Sequence, residues 1–200
     1  SLEIDDLVVT VLDNDGINFV ANYQDGENEG FYDPALGQQR RDALEAALDV
    51  WEDVLVASYA GETVYVDAKM DPQASGILGG ASPLSYWNVN GVSGAGAPLA
   101  NHLVGEDLTG SEAEIEITLN SNFASWYYGT DAATPSSSWD FMTVVIHEVG
   151  HVATPRGVHH MLLVQLHDVG PAANHLVVDL SLPRVSHSLS HQISHVLDDE

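Results

Sequence analysis

Hydrophobic residues recur along this chain at two periods, and together they outline a mixed fold. Residues 7–12 (Leu-Val-Val-Thr-Val-Leu) and 17–23 are β-type runs joined by Asp13-Asn-Asp-Gly16, which predicts a strand, a turn and a second strand in a hairpin. Over residues 38–57 the period lengthens. Leu44, Leu48, Trp51 and Leu55 return at helical spacing, while Arg40, Arg41, Asp42, Glu45, Glu52 and Asp53 take the other positions, giving a core-facing amphipathic helix. Period two comes back at residues 63–68, a strand that ends at Asp71-Pro72, and at 112–120. There Ile115, Ile117 and Leu119 share one face and Glu114, Glu116 and Thr118 the other, so a half-buried strand is expected. Residues 73–100, rich in Gly, Ala and Ser, hold no sustained period and read as a long surface excursion of the kind that is often functional or mobile. Residues 98–108 suggest a short helix carrying His102, read as a structural histidine. The aromatic stretch 122–130 reads as a loop packed by its own rings.

The segment 139–151, Trp-Asp-Phe-Met-Thr-Val-Val-Ile-His-Glu-Val-Gly-His, is apolar almost all round and predicts a buried helix. Ser137 followed by Asp140 resembles a capping box at its start, and Pro155 is placed to end it. His147 and His151 stand four apart and so lie one turn apart on one helix face, the spacing that lets two imidazoles hold one divalent metal, usually zinc. Glu148, beside the first histidine, is placed to take a proton from a water that the metal activates. A chain of this composition produces such an HExxH pattern by chance only about 0.03 times. A core helix with satisfied histidines is the plainer reading; the burial cost of two His and a Glu favours the metal. The chemistry expected is metal-assisted hydrolysis of peptides.

Composition narrows the partners. Thirty acidic against five basic residues give a net charge of −25, which repels nucleic acid and anionic membranes. Apolar residues make up 44%, too many for a disordered chain, and no stretch is long and apolar enough to span a bilayer. Such acidity fits a secreted or salt-adapted protein, and secretion is the expectation; no signal peptide is visible after Ser1, one being expected to have been removed or left out. With no cysteine there are no disulfides and no thiolate ligands. Calcium is conceivable at Asp13-Asn-Asp-Gly16, but the further ligands of an EF-hand loop are missing and turn residues are the better reading.

The ordered set Gly30-Phe-Tyr-Asp-Pro34, Ala47-Leu-Asp-Val-Trp51, Leu99-Ala-Asn-His-Leu103, Asn120-Ser-Asn122, Trp126-Tyr-Tyr-Gly129 and Asp140 to His151 resembles secreted bacterial metallopeptidases of the zincin type. The resemblance covers about residues 30–151, and only its last piece is specific by itself. It implies an α+β fold in which a twisted mixed sheet with one antiparallel edge strand lies over the active-site helix. Substrate would pair with that edge as an added strand. Residues 112–119 are the candidate for that strand or its immediate neighbour. The resemblance further implies one Zn²⁺, a protein or peptide substrate, and Glu148 as general base.

Beyond His151 the likeness stops. All fifteen aromatics precede that point, while seven of ten histidines and only five of thirty acids follow it. Residues 1–151 are therefore read as one lobe of hairpin, helix, sheet and HExxH helix. Residues 152–200 are read as an incomplete or atypical C-terminal segment with little packing, either native or frameshifted. A catalytic zinc needs three protein ligands. The metzincin pattern requires Gly at 154 and His at 157, where this chain has Thr154 and Gly157. A shifted version, Gly157-Val-His159-His160, makes His160 the candidate third ligand, with His159, His167 or Asp168 as alternatives. His187, His191 and His195 share a helical face, and a His-rich biased tail is the simpler account of them. Two other functions stay open: an inactive or truncated zincin-like module that binds metal without hydrolysis, and an acidic structural domain that binds none.

Overall fold

A computed structural model describes residues 16–153. The leading half of the predicted hairpin, the Asp13 turn up to Asp15, and everything after Ala153 lie outside the described residues. So do His159, His160, His167, Asp168 and the 187–195 histidines.

The architecture is α+β. A four-stranded mixed sheet has the order β1-β2-β6-β3, formed by β1 (Asn18–Tyr23), β2 (Thr63–Asp71), β6 (Ile115–Asn120) and β3 (Gly79–Pro83). The strands β1, β2 and β6 run parallel, with Phe19 opposite Val64 and Val66 opposite Ile115. Parallel neighbours need a crossover, and the helix α1 (Gly37–Val54) supplies the one between β1 and β2. At the other side β3 joins β6 antiparallel, with Ala81 opposite Ile117, and is the last strand of the sheet. Two small sheets complete the set: the hairpin of β4 (Tyr86–Val89) and β5 (Val92–Gly96), and the two-residue pair β7 (Trp126–Tyr127) and β8 (Trp139–Asp140). Helix α2 (Ala97–Val104) follows the hairpin, and α3 (Phe141–Ala153) follows β8. No helix among the described residues is long and apolar enough to cross a membrane.

The core lies between one face of the sheet and the pair α1 and α3. β2 alternates strictly, burying Val64, Val66, Ala68 and Met70, and Ile115, Ile117 and Leu119 of β6 continue the same face. From below, α1 contributes Leu44, Leu48 and Trp51, and α3 contributes Phe141, Val145 and Val149. The Trp51 indole N–H donates to the Ile146 carbonyl at 3.2 Å, tying the two helices together. On the outer face Lys69 lies 3.9 Å from Glu116 and 4.0 Å from Asp71; exposed pairs of this kind stabilise by about 0–1 kcal/mol.

Two expectations need correction. Glu114 does not face solvent with Glu116. It is fully buried, accepting from the Tyr65 amide at 2.6 Å, the Thr109 hydroxyl at 2.6 Å and the Asn101 side chain at 3.4 Å, and burial pushes its carboxyl pKa up. Residues 73–100 are not an excursion without structure, since they carry β3, β4, β5 and the start of α2. Of the two places expected for 112–119, the structure gives the second: β3 is the antiparallel edge strand and β6 is its immediate neighbour. His102 lies on α2 as expected, with Nδ1 3.2 Å from the buried carboxylate of Glu62, a structural contact.

Candidate metal centre

The start of α3 is held by aromatic packing and by one carboxylate. Phe141 is wholly buried, with ring centroids 5.0 Å from Tyr128, 5.2 Å from Trp126 and 6.4 Å from Phe31. The aromatic stretch 122–130 is thus not packed only by its own rings; it is the seat of the helix. Tyr128 is fixed in turn by Arg40, whose Nε donates to its hydroxyl at 3.2 Å while Nη1 donates to the Gly30 carbonyl at 2.6 Å. Asp140 stands just before the first helical residue, and its Oδ1 accepts the Thr143 amide at 2.6 Å. That satisfies one of the backbone donors a helix start leaves open. Its Oδ2 accepts the Thr134 hydroxyl at 2.6 Å. Asp140 is therefore itself the cap, rather than the return partner of Ser137 that the sequence suggested. Asp140→Ala is expected to lower stability by about 0.5–2 kcal/mol, and Asp140→Asn by less, read from urea midpoints at unchanged slope.

With Phe141, Val145 and Val149 turned into the core, the helical period carries His147, Glu148 and His151 to the surface of a cleft. His147 and Glu148 are half-buried and His151 is exposed. The two imidazoles meet edge to face, with centroids 4.6 Å apart and planes at 85°, and their Nε2 atoms are 3.0 Å apart. That is hydrogen-bonding reach, one ring N–H donating to the other ring's bare nitrogen, whereas two nitrogens bonded to one tetrahedral zinc at about 2.0–2.1 Å stand about 3.3–3.4 Å apart. The pair would need to open by only about 0.3–0.4 Å to take one divalent ion between its Nε2 atoms. Among the described residues no group of three metal-ligating side chains is present.

Two hollows flank the pair. One, of about 580 Å³, is bounded by Ile77 and Gly79 at the start of β3 and by Trp139, Val144, His147 and Glu148. The other lies between the β4–β5 hairpin, α2 and the last turn of α3, where His151 lines it. Between them runs β3, packed close on β6: a Cβ at Gly79 would stand 2.8 Å from the Leu119 side chain and 3.0 Å from the Thr118 carbonyl. Pro83 at the end of β3, which lacks an N–H, suits an edge strand.

Of the residues singled out from the sequence, the structure brings His147 and His151 into contact and places Glu148 in one hollow with His147. Sequence reasoning missed the β3 edge, and it missed Ile77 and Trp139 as cleft walls. Gly79-Gly-Ala-Ser-Pro83 has no β-propensity to find it by. One signal was available: Asn90-Gly91, with φ of 49° and 81°, is the two-residue turn that joins β4 and β5 and so announces a hairpin within the stretch.

No protein-family model matches this chain, and neither curated proteins nor solved structures give a match.

Proposed function

We propose that this protein is a secreted, zincin-like zinc metallopeptidase that hydrolyses peptide bonds, with Glu148 as general base and His147 and His151 as metal ligands. The observation that carries the reading is the convergence of the two Nε2 atoms to 3.0 Å on a helix packed under β3, the terminal strand of the sheet. His160 is proposed as the third ligand on its sequence spacing alone. A divalent ion bound there supplies Lewis-acid polarisation of the scissile carbonyl and lowers the pKa of water toward neutrality. The chain's own residues do the rest. β3 offers its outer backbone edge to an extended peptide, so main-chain hydrogen bonds hold the substrate in register over α3. Glu148, one residue from His147 and in the same hollow, takes the proton of the attacking water and returns it to the leaving amine. The acidic surface, at −25 overall, disfavours nucleic acid as a partner and fits a protein that works outside the cell.

The test is a metal analysis of the purified full chain combined with cleavage of a casein-type substrate. The expected result is one zinc per chain, lost in the double change His147→Ala/His151→Ala, with proteolysis lost alongside it. Zinc bound without hydrolysis would favour the inactive metal-binding module, and metal content unchanged by the double substitution would remove the assigned ligands.

A further inference from the structure

The two hollows lie at opposite ends of β3, and that strand gives the cleft a direction. It begins at Gly79, which lines the Glu148 hollow, and ends at Pro83, which lines the hollow beside His151. β6 occupies one of its edges, and no second strand pairs with it among the described residues. A peptide added to the other edge gains more per residue from antiparallel than from parallel pairing. Its N-terminal part then lies by Pro83 and its C-terminal part by Gly79.

On the peptidase reading above, we propose that the hollow beside His151 is a specificity site for a large apolar side chain on the N-terminal side of the scissile bond. Its walls come from the hairpin, α2, β3 and α3. Tyr86 and Val92 stand on the two strands of the hairpin, Leu99 and Leu103 stand four apart on one face of α2, and Pro83 and His151 close the sheet and helix sides. Tyr86 is 63% and Val92 40% exposed, so the hairpin wall presents apolar surface to an incoming chain. In a chain with thirty acidic residues, no Asp or Glu is among the described residues that line this hollow. A lysine or arginine side chain entering it would lose water and meet no carboxylate among the described lining residues, whereas a leucine or phenylalanine would gain from the apolar walls. The hollow at the other end differs: it holds Glu148 and the Asp140 cap beside Trp139, so the two sides of the cut are read by different chemistry.

The experiment uses the zinc-loaded full chain and a peptide library varied on both sides of the cut, with products sequenced by mass spectrometry. Wild type is compared with Leu103→Glu and with Val92→Glu, which place a carboxylate in the same hollow from different elements. Val92 is on the exposed hairpin strand, so its variant decides the matter if the helix variant does not fold. Wild type is expected to prefer large apolar residues on the N-terminal side. Both variants are expected to shift that side toward Lys and Arg by about tenfold or more in relative kcat/KM, leaving the C-terminal side as it was. A shift on the C-terminal side instead would show the peptide running the other way and overturn the assignment. Variants that cleave at the wild-type rate with both preferences unchanged would overturn it while leaving the peptidase reading intact. A wild type that holds zinc but cleaves no library member ends the peptidase reading and this assignment together.

Discussion

On the proposed peptidase function, Glu148→Gln is expected to bind as much zinc as the wild type and to lose about 10²–10⁴-fold in kcat/KM on any peptide the wild type cleaves. The amide has the volume of the carboxylate and still hydrogen-bonds, so the helix and the two histidines should be undisturbed. What it cannot do is accept a proton at neutral pH. The position makes the test sharp: Glu148 is half-buried in the cleft, one residue from His147 and beside the Gly79 end of β3. Metal content and steady-state cleavage on the same preparation separate the two roles. Equal cleavage by the Gln variant would remove Glu148 as the base. Lost zinc would mean that its carboxylate helps hold the metal.

Trp51→Ala is expected to cost about 3–5 kcal/mol of stability, the range for deleting a buried aromatic side chain. Trp51 is 1% exposed and among the largest fully buried side chains described, and its indole N–H reaches across to the Ile146 carbonyl of α3. Alanine removes the ring that fills the space between α1 and α3 and the hydrogen bond that sets their relative position. Ile146 immediately precedes His147, so a loosened contact should also blur the Nε2 separation on which the proposed metal binding would depend. The prediction is read from urea unfolding monitored at equal zinc concentration, because a ligand that binds only the native state adds its own stabilisation. A change below about 1 kcal/mol would show that α1 does not support α3 as described. Trp51→Phe, which keeps most of the volume, should fall well short of the alanine cost.

Conditions should be matched to the chain's charge. At −25 the protein repels itself, and added salt screens that repulsion over about 8–10 Å near physiological strength. Comparisons of variants therefore belong at one fixed ionic strength.

What the sequence determined by itself is what depends on neighbours a few residues apart. The period of Leu44, Leu48 and Trp51 specified α1, the alternation of Ile115, Ile117 and Leu119 specified the buried face of β6, and the four-residue interval of His147 and His151 specified a shared helix face. Each of these follows from the pitch of a helix or the pleat of a strand, which are local properties. Where the local signal was weak or the partner distant, only the tertiary structure decided. Gly79–Pro83 becomes a strand because β6 supplies its hydrogen bonds and because glycine permits the close approach to Leu119 and Thr118, not because its residues favour extension. Glu114 is drawn inward against its place in the alternation because Asn101 of α2 and the Tyr65 amide of β2, together with the hydroxyl of nearby Thr109, satisfy its oxygens. The Asp140 cap could be suspected from spacing, but its engagement by Thr134 and the seating of Phe141 on Trp126 and Tyr128 required the loop to fold back. The candidate ligands His147 and His151 are thus a property of one helix, legible in thirteen residues. The cleft that would give them a substrate is assembled from β3, the hairpin and α2, whose meeting is a matter of packing at long range.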